Sequence, residues 1–145
     1  MSLLSTLFGD TTDPPLDPYW QRNPDLKYYR LLQISRRPQV LADKSGVFIL
    51  WSQGAHGHWI YCAHAEDLEG TVEIVANHPE VITLESRHGL LFSWSPIRAD
   101  LRDGVVAHLR ATLRFALEDA ALDDRLDLSA ARLAAAEPVV VLPPG

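Results

Sequence analysis

The stretch Ser45–Leu68, SGVFILWSQGAHGHWIYCAHAEDL, limits what this chain can fold into more than any other part of it. Two apolar runs, Val47 to Trp51 and Trp59 to Ala63, flank a polar connector holding Gly54 and Gly57. The second run leads into Glu66-Asp67-Leu68, a helix-start signal. Short runs rich in β-branched and aromatic residues around a glycine-bearing turn predict a β-hairpin that feeds a helix. The runs have almost no polar interruption, so they lack the alternation of a half-solvated sheet, and both faces of the hairpin are expected to be covered. The remaining segments must supply the covering layers.

The chain has 145 residues, enough for one ordinary domain. Its 47% hydrophobic and 22% charged residues suit a soluble globular protein. A formal net charge of −6 repels a phosphate backbone at long range, which disfavours nucleic acid as a partner. Cys62 is the single cysteine and lies inside an apolar run, so it reads as a small buried hydrophobe and no intrachain disulfide is possible. No run approaches the length of a membrane span, and the N-terminus lacks the basic region of a signal peptide. The expected location is the cytoplasm or the inside of a soluble, virion-like particle, with no membrane partner.

Three regions follow in chain order. Residues 1–23 read as an extended arm, because Asp13-Pro14-Pro15-Leu16-Asp17-Pro18 blocks both helix and central strand. Its Leu3, Leu4, Leu7, Phe8, Tyr19 and Trp20 need a surface to lie on, either the arm's own domain or a neighbouring subunit. Residues 24–120 read as an α/β (α+β) core domain, a small sheet built from hairpins and packed with two or three helices. Within it, Asn23-Pro24-Asp25 is a helix start leading to Tyr28, Leu31 and Leu32. Leu68, Val72 and Val75 mark a helix closed by Asn77-His78-Pro79. Val81–Glu85 and Leu90–Trp94 read as two further strands. From Asp100 a long amphipathic helix carries Leu101, Val105, Leu109, Leu113 and Leu117. Gly104 inside that helix points to a close approach of its backbone to the sheet or to a neighbour. Residues 121–145 read as an alanine-rich helix over Leu128–Glu137 and a tail in which Val139 to Leu142 stand between prolines, suited to adding as an edge strand to another sheet.

Gly46-Val47-Phe48, then Tyr61-Cys62-Ala63 and Asp67-Leu68, resembles the two-strand signature of the GIY-YIG nuclease family, over roughly Ser45 to Leu113. The resemblance implies a sheet flanked by helices, with catalysis by tyrosines from the two strands, an arginine on the first helix and a metal-binding glutamate on a later one. Carried over by position, the first tyrosine falls on Phe48, the signature glycine on Ala63, the arginine on Thr71 and the glutamate pattern on Val106 and Leu109. Only Tyr61 survives. Phenylalanine has no hydroxyl, threonine no guanidinium and valine no carboxylate, so the resemblance implies a scaffold that kept the shape without the chemistry.

His56 and His58 in the connector, with His64 at the far end of the second run, fall short of a converging ligand set, and the plainer reading is a turn with solvated imidazoles. His78, His88 and His108 are scattered. Asp100, Asp103, Glu118, Asp119, Asp123 and Asp124 read as a solvated helix face. Arg98, Arg102, Arg110 and Arg114 read as their partners at helical spacing. Trp51, Trp59 and Trp94 could line a small-ligand site, with core packing the simpler account. The residues therefore lead to a non-enzymatic subunit or adaptor of a protein assembly, homo- or hetero-oligomeric, without cofactor or metal. Its expected contacts are Leu3, Leu4, Leu7, Phe8, Tyr19, Trp20, Val139 and Val141. A phage-like neck or tail complex is one such assembly, and a GIY-YIG-type metal-dependent DNA endonuclease with displaced groups is the alternative.

Overall fold

The computed structural model describes residues 15, 17–54 and 57–145. Its elements in chain order are β1 (Tyr29–Arg30), α1 (Leu31–Arg36), a 3-10 turn (Pro38–Leu41), β2 (Gly46–Trp51), β3 (Trp59–Ala65), α2 (Leu68–Ala76), α3 (Pro79–His88), β4 (Leu91–Ser95), α4 (Ala99–Thr112), α5 (Ala120–Arg125) and α6 (Ala130–Ala135). The predicted hairpin forms as β2 and β3, with Val47 opposite His64 and Ile49 opposite Cys62. The four strands run in the order β1-β4-β2-β3, all antiparallel, which makes this an α+β fold. A register shift beyond Leu50 and Tyr61 leaves Ile60 without an opposite residue, and Ile60 and Tyr61 both enter one core cluster.

The unbroken apolar runs have the expected consequence: every residue of β2 is buried, and the strand feeds two cores. Phe48 and Leu50 face Leu31, Ile34, Val72, Val75 and Phe92, under α1, α2 and α3. Val47, Ile49 and Trp51 face Val105, Val106, Leu109, Trp20 and Val141, under α4 and the two chain ends. Gly46 opens β2 at φ 151°, and a Cβ there would stand 1.9 Å from the Ser95 carbonyl oxygen, so only glycine lets β2 and β4 close at that point.

Several sequence expectations are corrected here. Val81–Glu85 is not a strand but the middle of α3. Pro79 sits in its first turn, the His78 ring accepts the Glu80 N–H at 3.2 Å, and Gly89 ends it at φ 66°, so terminus chemistry overrides the strand preference of Val-Ile-Thr. Only the second of the two expected strands therefore forms, and β4 pairs with β2 and β1. Asn23 does cap, but it caps a turn: its side chain accepts from Asp25 and Lys27, and α1 begins only at Leu31. The long helix stops at Thr112 rather than reaching Leu117, because Ala116 and Leu117 donate to the carbonyls of Trp59 and Ile60 and cover that end of the β3 edge. The helix expected over Leu128–Glu137 forms as the shorter Ala130–Ala135, capped by Ser129, and a further helix, Ala120–Arg125, capped by Asp119, precedes it. Among the described residues no helix is long and apolar enough to cross a membrane.

Candidate functional site

Beyond the point where residues 116 and 117 cover β3, the strand presents the carbonyl of Cys62 outward, and α4 lies across it. Arg110 meets that carbonyl with Nε at 3.0 Å and Nη2 at 2.7 Å. The same guanidinium grips Asp123 of α5 with two bonds of 2.9 Å. Asp123 also accepts the Tyr61 hydroxyl at 2.5 Å, and the Arg110 guanidinium carbon stands 5.3 Å from the centre of the Tyr61 ring. This planar fork on a carboxylate is the geometry for which arginine is suited and lysine is not.

Burial by itself would raise the Asp123 carboxyl, but the bonds from Arg110 and Tyr61 outweigh it and hold the group below the usual carboxylate range. Burial, and then the Asp123 bond, push the Tyr61 phenol far above its ordinary value, so it stands as a protonated donor. Burial also lifts the Cys62 thiol to about 12, which removes it as a nucleophile at neutral pH. Arg110 is raised further by Asp123 despite its own desolvation.

Two histidine–aspartate pairs lie on the same molecule. His78 Nε2 is 2.7 Å from Asp119, whose other oxygen caps α5 by accepting the Leu122 N–H at 3.0 Å. Since His78 Nδ1 accepts from Glu80, the Nε2 proton is the one shared with Asp119. The His78 bond, helped by that cap, holds Asp119 below the ordinary carboxylate value. His64 Nε2 is 2.7 Å from Asp103. Tyr61, Arg110, Arg114, Glu118, Asp119 and Asp123 line a cleft of about 470 Å³.

The inner end of that cleft is saturated. Four of the five N–H donors of Arg110 are committed to Asp123 and Cys62. Of the positions that the family resemblance marks, Tyr61 alone lines this cleft, and the others are buried elsewhere. Phe48 is fully buried and stacks on Phe92 at 5.2 Å, Ala63, Val106 and Leu109 are in the cores, and Thr71 is buried on α2. Among the described residues no group of three or more His, Cys, Asp or Glu is placed to hold a metal ion. His56 lies outside the described residues, and the His58 ring is 5.2 Å from that of His88. Comparison of the chain with protein-family models, curated proteins and solved structures finds no match.

The residues expected to contact partners are divided by the structure. Leu3, Leu4, Leu7 and Phe8 lie outside the described residues. Tyr19 is 75% exposed, while its neighbour Trp20 is buried and donates its indole N–H to the Leu142 carbonyl at 2.8 Å. Val139 and Val141 pack in the α4-side core, so the tail lies across its own domain rather than standing free as an edge strand. Gly104 is the reason it fits: a Cβ there would be 2.5 Å from the Glu137 carbonyl and 2.8 Å from Val139.

Sequence reasoning missed the Arg110–Asp123–Tyr61 group, having paired Arg110 with carboxylates at helical spacing. One signal was present. Arg110 follows Val106 by four residues on the stripe that faces the sheet, where a cation needs a buried partner.

Proposed function

We propose that this chain is a non-catalytic subunit or adaptor of a larger protein assembly, contacting its neighbours through its chain ends. The observation that carries this reading is the meeting of residues 17–20 with the C-terminal tail on one face of α4. Pro18, Tyr19, Ile97, Leu101, Val139 and Val141 line an apolar groove of about 340 Å³ there, and Tyr19, Val140 and Leu142 remain exposed around it. An apolar surface formed by residues 17–20 and the C-terminal tail, on a chain of net charge −6, suits association with protein. A virion-like neck or tail complex is one assembly in which such a subunit would serve. The test is co-purification: the full chain should carry partner chains, and removal of residues 1–16, which leaves Trp20 in place, should release them without unfolding the domain. Unchanged association after that removal would count against the proposal.

A second reading, a GIY-YIG-type metal-dependent DNA endonuclease with displaced groups, draws support from one fact. Tyr61, Arg110, Asp119 and Asp123 line a common cleft, so a phenol, a guanidinium and two carboxylates lie near one another. It requires magnesium-dependent cutting of DNA that is lost in Tyr61→Phe, and such cutting would displace the assembly reading.

A further inference from the structure

Charge is unevenly distributed along this chain. Residues 21–44 carry six basic side chains and two acidic ones, a surplus of four positive charges in a protein whose formal net charge is −6, so the rest of the chain carries −10. The basic segment is a continuous piece of the fold: the turn capped by Asn23, then β1, α1 and the 3-10 turn. All six of its cations are exposed. Pro38 cannot continue α1, so the chain turns at Arg37 and brings Val40 back towards the helix. The result is a groove of about 480 Å³ lined by Asn23, Tyr29, Gln33, Ile34, Arg36, Arg37 and Val40.

The sign of its lining sets this groove apart. The cleft at Tyr61 places Arg110 and Arg114 among Glu118, Asp119 and Asp123, and Arg98 and Arg132 have carboxylates of their own in Asp100 and Asp103. The described residues that line the α1 groove include two arginines and no carboxylate, and none of the described ion pairs uses either guanidinium. Asn23 adds donors rather than acceptors, since its side-chain oxygen is already taken by the Asp25 and Lys27 N–H groups at 2.9 and 3.0 Å. A positive surface with donors in excess calls for anionic acceptors. Apolar surface adjoins it: Val40 is 42% exposed, and Leu32, one helical turn before Arg36, is 44% exposed.

These features favour an acidic segment of a protein over a nucleic acid or an anionic membrane. A long polyanion would run past the groove onto a body of charge −10 and be repelled there, over the ~8 Å that charge acts at physiological salt. A short acidic stretch with an apolar residue beside its carboxylates satisfies both the guanidinium forks and the exposed valine.

We infer that the groove between β1, α1 and the 3-10 turn is a docking site for an acidic, extended segment of a partner protein, its carboxylates held by Arg36 and Arg37 and an apolar residue set on Val40. This goes beyond the contacts made by the chain ends. The two fail separately, because removal of residues 1–16 leaves every groove residue in place.

The test uses the full chain and a fluorescein-labelled octapeptide of alternating glutamate and leucine. Binding should be measurable below ~1 mM peptide and should weaken as salt is raised. It should fall about 10-fold in Arg36→Gln/Arg37→Gln, which removes two exposed charge pairs, and about 3-fold in Val40→Ser. Circular dichroism should be unchanged in both, since all three side chains are exposed. Arg87→Gln/Arg125→Gln, which removes exposed cations outside the groove, should bind like wild type. No binding at millimolar peptide, equal binding of a peptide with glutamine for glutamate, unchanged binding in Arg36→Gln/Arg37→Gln, or competition by an oligothymidylate of equal length as strong as that of the peptide would each overturn the inference. Tighter peptide binding after removal of residues 1–16 would also overturn it, since the chain's own arm would then be the occupant.

Discussion

The two faces of the sheet are closed in different ways. On the Phe48–Leu50 face α1, α2 and α3 are joined by Leu117, Leu122, Leu126 and Leu128, so most of the covering side chains come from the middle of the chain, and the polar ties of this core, Tyr61 to Asp123 and His78 to Asp119, hold α5 against it. On the Val47–Ile49–Trp51 face α4 is joined by Trp20 and Val141, which lie at opposite ends of the chain. There the polar ties hold the chain ends themselves: Trp20 to the Leu142 carbonyl, the Ser95 hydroxyl to the Pro18 carbonyl, and the Val139 N–H to the Gly104 carbonyl. The first face should therefore open only with global unfolding. The second can open at its rim while the body stays folded.

The largest test of this contrast is Phe48→Ala, which leaves a void against Phe92 and Tyr61 and should cost about 3–5 kcal/mol, read as a lower denaturation midpoint with one cooperative transition. If the tail alone loosened, the two faces would not differ as described.

Asp123→Asn comes next. It removes the charge that Arg110 grips at a partly exposed site, and about 2 kcal/mol is expected, between the values for surface and fully buried pairs. The pH dependence has a definite sign. Asp123 and Asp119 are both held below the ordinary carboxylate value, so they contribute stability that is complete above roughly pH 4–5 and lost as pH falls through their lowered values. Unfolding curves taken from pH 7 down to pH 2 should fall in that acid window, and less steeply in Asp123→Asn.

Gly104→Ala sharpens the comparison further. The helix itself gains about 1 kcal/mol of propensity, but the new methyl meets the Glu137 carbonyl and Val139, so the tail should lift while α4 persists. Amide exchange should become faster at residues 138–145 and stay slow in β2 and α2. The smallest effect belongs to Trp20→Phe, which keeps the ring burial and deletes one hydrogen bond, for about 1 kcal/mol confined to the same rim. Faster exchange across the Phe48 core in either variant would contradict the separation of the two faces.

Much of this was legible in the residues before any tertiary information. The hairpin and the Asp67-capped helix over Leu68–Ala76 each follow from a local signal, an apolar run or a capping side chain, whereas Gly104 signalled a close approach without saying that the chain's own tail makes it. Where two local signals conflicted, the reading failed. Val81–Glu85 has strand composition within helix-terminus chemistry, and the termini prevailed because they satisfy backbone groups that composition leaves open. Leu113 and Leu117 continue a helical stripe, yet the unpaired edge of β3 offered that backbone a ladder instead.

What the sequence determined by itself is which segments are buried and with what periodicity, because burial of apolar area acts on each residue whatever its partner. Which distant groups meet was decided only in three dimensions. Tyr61, Arg110 and Asp123 become one hydrogen-bonded group, and Trp20 finds Leu142, because directional bonds form only where packing of the remainder has already brought donor and acceptor within reach.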